Sequence, residues 1–186
     1  MERSSQRAVQ LFRRTRDFLA RTAPKAAYGA IATPVDELGS AADRIAAAAI
    51  EVDTRDRAAR SGTKLIKQRS RTLRLEYMLP VTRVARIKFR NDPALLTALS
   101  MPRNVRQPEA LVAAANAMAN TAEGHKETFV KGGLPEDFVA QLREAANEIL
   151  QIIDQRAQDV ARRSAASAAV QGEVVRGKGF MGLLDS

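Results

Sequence analysis

The sequence predicts an all-α protein, an antiparallel, up-and-down bundle of four main helices. Alanine is the commonest apolar residue, with 34 copies against 13 Val and 8 Ile, and such a surplus favours helices over strands. Apolar residues also recur every three or four positions over long stretches, which is the periodicity of an amphipathic helix. Proline and glycine separate these stretches. We expect one domain over residues 1–171 and a Gly-rich, flexible tail over residues 172–186.

The composition excludes several classes of function. The 186 residues carry a net charge of +9 but no Cys and a single His, which excludes thiol nucleophiles, disulfides, thiolate metal sites and His-rich zinc sites. Aromatic residues make up only 4% of the chain, which argues against aromatic stacking platforms for single-stranded nucleic acid. The longest apolar run has six residues, far fewer than the ~20 that a membrane-spanning helix needs. Without cysteine or an export signal, we expect a cytoplasmic protein.

The first two helices are predicted on either side of a short connection. Apolar residues at helical spacing predict the first helix over residues 5–22. Residues 23–32 contain Pro24 and Gly29 and are predicted to connect the helices. Thr33 suits the N-cap of the second helix and Pro34 suits its first position.

The second helix carries the longest pattern in the chain. Its apolar stripe runs from Val35 to Tyr77 in alternating steps of three and four residues, which is a heptad rhythm. Gly62 interrupts the good helix formers, and Pro80 removes a backbone donor and clashes with the preceding turn. We therefore expect this long helix to be kinked near Gly62 or Pro80.

The second half of the chain predicts a helical hairpin. Asp92 and Pro93 mark a turn, followed by a short helix over residues 94–99 and a loop over residues 101–107. Pro108 begins the third main helix, which is expected to end at Gly132 and Gly133. Pro135 then begins the last helix. The connection is so short that these two helices should pack antiparallel.

This hairpin also carries a resemblance. The segment His125-Lys126-Glu127, with Val130, Gly133-Leu134-Pro135-Glu136 and Phe138, is similar to a segment of a family of bacterial helical-bundle proteins of unknown function. The resemblance covers residues 30–165 and includes the Pro108-Glu109-Ala110-Leu111 opening and the basic helix before it. It implies a helical bundle and no activity, so it assigns no functional residue.

Three patterns that resemble catalytic or ligand-binding motifs fail on their chemistry. His125 lies on an apolar stripe, but Ala122 stands where a di-metal bundle needs a glutamate, and the chain has no second His. The run from Gly172 to Gly179 resembles a phosphate loop but lacks the final Ser or Thr and the preceding strand. Two carboxylate pairs, Asp53 with Asp56 and Glu144 with Glu148, are typical of solvated helix faces. We therefore expect no enzyme activity, no cofactor, no metal and no small-molecule substrate.

Charge is concentrated in residues 62–90, which we call the basic segment. It holds nine Lys and Arg against Glu76 alone, and its side chains at positions 64, 67, 71 and 74 form one helical stripe, the basic stripe. The stripe has three interpretations: it binds a polyanion such as nucleic acid, lies on anionic lipid, or pairs with the acidic last helix. The candidate polyanion-binding residues are Lys64, Lys67, Arg71, Arg74, Arg83, Arg86 and Arg90.

The C-terminal residues give a second candidate contact. The predicted tail contains four glycines and the apolar residues Phe180, Met181, Leu183 and Leu184. They either dock onto another protein or a second copy, or fold back over the bundle. The sequence therefore predicts a structural or interaction protein with a protein partner or self-association. The alternative is non-specific nucleic-acid binding through the basic segment.

Overall fold

Helices account for nearly all of the chain. The computed structural model describes residues 3–22, 25–102 and 106–184. Their helices are α1 (Arg3–Thr22), α2 (Lys25–Thr72), α3 (Leu79–Lys88), α4 (Pro93–Ala98), α5 (Pro108–Glu123), α6 (Lys126–Lys131) and α7 (Phe138–Leu184). A π-helical segment, Leu73–Met78, lies between α2 and α3. No β-strand occurs in the described ranges, and the prediction of an all-α protein is confirmed.

The described residues divide into two compact units, and both take part of α2 and part of α7. The terminal unit combines α1 and the part of α2 that ends at Ala59 with the part of α7 that begins at Gln158. The central unit holds Arg60–Ala157. This grouping differs from the single domain over residues 1–171 that the sequence predicts, because contacts between distant parts of the chain define the units.

The terminal unit has a small, alanine-rich core. Its buried residues come from three helices: Ala8, Val9 and Phe12, then Leu38, Ala42 and Ile45, and finally Val170. The three from α2 belong to the predicted heptad stripe, which therefore faces this core. Small side chains let helices approach closely, but each buries little apolar surface.

The central unit has a larger core with more bulky side chains. Three phenylalanine rings form its centre, with Phe129 lying 5.6 Å from Phe89 and 5.4 Å from Phe138 between ring centroids. The buried hydroxyl of Thr82 donates a 2.9 Å hydrogen bond to the carbonyl oxygen of Leu99. Around them are buried Leu73, Met78, Leu111, Met118, Leu142 and Ile149.

The predicted start of the long helix at Thr33 and Pro34 is wrong. α2 begins at Lys25, and Pro34 lies inside it. The predicted connection contains alanine at positions 26, 27, 30 and 32, and alanine is the best helix former. The helix preference of these alanines outweighs the loss of a backbone N–H donor at Pro34. Residues 23–24 of the predicted connection lie outside the described residues.

The helix changes character immediately before Pro80. α2 passes through Gly62 without interruption, and the π-helical segment follows Thr72. Pro80 lies in the first turn of α3. Because proline has no N–H and its ring crowds the carbonyl four residues earlier, a wider π turn accommodates it better than a regular α turn.

The third main helix also differs from the prediction. A turn at Gly124 and His125 divides it into α5 and α6. Gly133 has a φ of 95°, a left-handed conformation that suits glycine, and it follows the end of α6. The last helix begins at Phe138, three residues after Pro135.

The C-terminal residues do not leave the helix. Positions 172–184, predicted to be a flexible tail, belong to α7. Gly177 is buried against the ring of Phe12, and a Cβ atom at this position would overlap that ring. The glycine therefore permits the close approach of α7 to α1, which periodicity does not reveal. Within the described part of the chain, no helix has the length and hydropathy needed to cross a bilayer.

Candidate polyanion-binding surface

The predicted basic residues lie mainly on exposed positions. The α2 cations Lys64, Lys67 and Arg71 are exposed, as are Arg83 and Arg86 on α3. Arg90 is exposed in the turn after α3. Arg74, in the π-helical segment, is half-buried and has an interaction partner.

Most of these cations are not used inside the fold. In residues 3–22, 25–102 and 106–184, no ion pair involves Lys64, Lys67 or Arg71. The same holds for the three exposed arginines at positions 83, 86 and 90. Their charges remain available to an external anion, because no carboxylate of the described chain neutralises them at short range.

The cations of the terminal unit behave differently. Arg44 of α2 donates to Glu173 of α7 at 2.9 Å, and Arg163 of α7 donates to Asp56 of α2 at 2.7 Å. The hydrogen bond to Glu173 raises the pKa of Arg44. These ion pairs neutralise charged side chains of α2 and α7 where the two helices face each other.

A further pair reaches into the interior of the terminal unit. Arg55 donates to Glu51 at 2.7 Å and to Asp159 at 3.1 Å, and Asp159 is only 5% exposed. Both hydrogen bonds raise the pKa of Arg55, and the bond to Glu51 has the larger effect. Burying a charged or polar group is unfavourable unless it is hydrogen-bonded, and Arg55 supplies such a bond to Asp159.

One basic residue of the central unit does meet the acidic last helix. Arg69 lies 3.5 Å from Glu148 of α7, as the charge-pairing interpretation expects. Arg69 is not part of the basic stripe. Charge pairing with α7 therefore describes Arg69 better than it describes Lys64, Lys67 and Arg71 of the stripe.

A groove of about 590 Å³ adjoins the basic stripe. We call it the basic groove, and it lies between the C-terminal part of α2 and the residues that begin α5. Its cationic lining comprises Lys67, Arg71, Arg74 and Arg106, and its apolar lining includes Ile66, Leu75 and Pro108. None of the described residues that line it is acidic.

The basic groove contains one polar atom without a partner. Ser70 lines the groove, and its Oγ atom is buried without a hydrogen-bond partner. Some other buried or half-buried hydroxyls in the helices have a partner, such as that of Thr121, which donates to the carbonyl of Ala117 at 3.0 Å, and that of Thr82. A buried hydroxyl without a partner is unfavourable, so Ser70 stands out chemically.

Ser70 and Arg106 are not among the residues that the sequence predicts for this surface. Ser70 is a polar residue at an apolar-stripe position, and this interruption of the heptad pattern was the available signal. Arg106 precedes Pro108 in a loop, where no periodicity links it to α2. Only the tertiary contacts bring it beside Arg71 and Arg74.

The residues of the other candidate motifs take part in packing or in ion pairs within the fold. His125 is half-buried, and its ring packs against Phe89 at 5.1 Å between centroids. The carboxylates Asp53 and Glu148 pair with Arg57 and Arg69. No group of three or more acidic or histidine side chains among the described residues is placed to hold a metal ion.

The predicted C-terminal contact residues divide into two groups. Phe180 and Met181 pack against the core of the terminal unit, as the fold-back interpretation expects. Leu183 is exposed, and the side chain of Leu184 lies outside the described residues. A second groove, of about 480 Å³, lies between α1, α2 and α7 of this unit and is lined by residues such as Ala8, Val52 and Val174.

Comparison of the chain with protein-family models, with curated proteins and with solved structures finds no match. The resemblance of residues 30–165 to bacterial helical-bundle proteins stays a prediction. Function is therefore inferred from the charges and grooves of this chain alone.

Proposed function

We propose that this chain is a non-enzymatic helical-bundle protein that binds nucleic acid through the basic segment. The observation that carries the proposal is the set of exposed cations without ion pairs, above all Lys64, Lys67 and Arg71. Charge pairing with the acidic last helix was the main alternative, and it accounts for Arg69 but not for these three. The proposal places the protein in the cytoplasm, where nucleic acid is available.

The spacing of the basic stripe supports a contact with a phosphate backbone. Successive stripe residues are three or four positions apart, a rise of roughly 5–6 Å in an α-helix. One nucleic-acid strand presents a row of phosphates with similar separation, so several cations can contact one strand together. Binding by about four to six phosphate contacts would depend strongly on salt, with a slope near −0.9 per contact on duplex DNA.

Fluorescence anisotropy with labelled DNA and RNA over a salt series tests this function. We expect the triple variant Lys67→Glu, Arg71→Glu and Arg74→Glu to abolish binding. The matched control reverses three exposed cations of α1, Arg7→Glu, Arg14→Glu and Arg21→Glu, with the same change in net charge. Equal loss in both variants, or no binding by the unmodified protein at low salt, would refute the proposal.

A helix arrangement also belongs to this proposal. We propose that the long helices pack antiparallel within each unit and that the chain bends at the π-helical segment before Pro80. The first part is supported by the pairs Arg44 with Glu173 and Arg55 with Asp159, because position increases along α2 as it decreases along α7. The second is supported by the known association of π turns and prolines with kinks.

Self-association is the second candidate function. It is supported by the groove between α1, α2 and α7, which adjoins Val175, a side chain that is 70% exposed. A second copy or a protein partner would cover this apolar lining. Analytical ultracentrifugation should show an assembly that Val175→Asp dissociates and Ile87→Asp, at another exposed apolar position, does not. A monomer at all concentrations would contradict this candidate.

A further inference from the structure

We infer that the basic groove holds one unpaired nucleotide of a bound strand, so that the protein prefers single-stranded nucleic acid to a duplex. The inference rests on the proposed function and specifies the form of nucleic acid that the site takes. Its evidence is the mixed lining of the groove, its unpartnered hydroxyl, its size and its position beside the basic stripe.

The lining of the basic groove combines the two chemistries of a nucleotide. Three of its four cations are arginines, at positions 71, 74 and 106, and the planar guanidinium group binds phosphate oxygens in pairs. Leu75 is 50% exposed and lines the same groove with Ile66 and Pro108. An anion with an apolar body satisfies both parts of this lining, whereas an inorganic anion satisfies only the first.

The size of the groove suits a small organic unit. Its volume of about 590 Å³ lies within the range of roughly 300–1,000 Å³ that is usual for ligand pockets. The basic stripe runs beside it, since Lys67 and Arg71 belong to both. A strand that follows the stripe therefore brings its phosphates to the edge of the groove without a change of direction.

Ser70 supplies a hydrogen-bond donor that the fold does not use. Its hydroxyl has no hydrogen-bond partner among the described residues, and a hydroxyl proton rotates freely to suit an acceptor. Because the Oγ atom is buried in the observed rotamer, a phosphate or base oxygen in the groove would become its partner only after the Ser70 side chain turns towards the groove. Because no internal hydrogen bond is broken, turning the hydroxyl towards a ligand forfeits no existing contact.

The apolar lining decides between single strands and duplexes. A paired base is stacked inside the duplex, and only its sugar–phosphate edge reaches a flat protein surface. An unpaired base can turn outwards and stack on a guanidinium plane, as bases do on arginine side chains. In this groove, Leu75 and Ile66 add apolar contact in place of an aromatic ring. Duplex DNA has the higher charge density, so a preference for the single strand cannot come from the basic stripe alone.

The test compares three labelled probes of equal length: an oligothymidylate, a DNA duplex and a single strand without bases. We expect the oligothymidylate to bind most tightly and the abasic strand roughly tenfold more weakly, because base contacts are lost. Leu75→Ser should weaken oligothymidylate binding roughly fivefold and leave duplex binding unchanged. The control, Leu65→Ser, changes an exposed α2 leucine outside the groove and should alter neither.

Ser70→Ala adds a readout that separates ligand binding from folding. It should weaken oligothymidylate binding while the melting temperature stays the same or rises, because an unpartnered hydroxyl is removed. If Leu75→Ser and Ser70→Ala leave the ratio of single-strand to duplex affinity unchanged, the groove inference is wrong and the proposed function stands. If the unmodified protein ignores all three probes and binds phosphatidylserine vesicles instead, both are wrong.

Discussion

The two units of this protein differ in how they use the cations of α2. In the terminal unit, arginines of α2 and α7 are paired across the helices, as Arg44 is with Glu173 and Arg163 with Asp56. In the central unit, the stripe residues Lys64, Lys67 and Arg71 have no ion pair within the described residues. The same helix, α2, therefore carries structural cations in one unit and available cations in the other.

The difference follows the composition of the two cores. The terminal core consists of seven buried residues, of which Ala8 and Ala42 bury little area, and ion pairs add orientation where packing alone is weak. The central core contains bulky side chains such as Phe129, Met118 and Leu142. Because apolar packing defines the fold of the central unit, its surface charges are not needed for stability and are available for binding.

The largest expected effect is the loss of the central aromatic cluster. Phe129→Ala should lower the free energy of unfolding by about 3–5 kcal/mol, because the ring is fully buried and lies between Phe89 and Phe138. Urea denaturation measures it. The control Phe18→Ala, at a ring that is 64% exposed in α1, should change stability little. A small effect at Phe129 would mean that the central core is not the better packed one.

Alanine substitutions at two glycines of α7 should change the stability of the protein in opposite directions. Gly177→Ala should destabilise the protein by about 1–3 kcal/mol, because the added Cβ meets the ring of Phe12, which is buried and cannot withdraw. Gly179→Ala has open space around its Cβ and should stabilise by about 0.5–1 kcal/mol through helix propensity.

Thermal unfolding of these two alanine variants gives the measurement. If both are stabilising, α7 does not approach α1 at Gly177, and the close packing of the terminal unit is refuted. If both are destabilising, the C-terminal residues are not helical as described.

The interior ion pair of the terminal unit should matter moderately. Asp159→Ala removes one of the two carboxylate partners of Arg55 and should lower the melting temperature by about 2–4 °C. Circular dichroism on heating measures the change. Asp154→Ala, at an exposed carboxylate of α7 without a hydrogen bond or ion pair among the described residues, is the control and should have almost no effect.

The smallest expected effect is on the basic stripe. Neutralising Lys64→Gln, Lys67→Gln and Arg71→Gln together should change the free energy of unfolding by no more than about 0.5 kcal/mol per site, since no ion pair is lost. Reduced repulsion between the cations would favour a slight gain at low salt. A loss of many degrees in melting temperature would show that these side chains stabilise the fold and are not available for ligands.

Much of the helical pattern could be read from local sequence. Pro108 begins α5 and Asp92 caps α4, where its side chain accepts a hydrogen bond from the amide of Leu95 at 3.0 Å. Such signals act within one turn and need no distant partner. Pro34 misled the prediction because the alanines around it decide the local preference, and a single missing donor does not outweigh them.

The candidate site was only half visible in the sequence. The spacing of Lys64, Lys67 and Arg71 predicts that they share a helix face, but not whether an acidic helix covers that face. Arg106 and Ser70 could not be assigned, because their relevance depends on which loop lies next to α2. The tail was misread for the same reason, since Gly177 is explained only by Phe12 on another helix.

The amino-acid sequence determined the all-α class, some helix boundaries such as the start of α5, and the concentration of positive charge in residues 62–90. These properties depend on interactions within one or two helical turns, which composition and spacing report directly. Tertiary structure alone decided which cations have partners, which hydroxyl has none and how far α7 extends. Each of these depends on the side chain that lies opposite, and periodicity tells which face of a helix is buried but not what it is buried against.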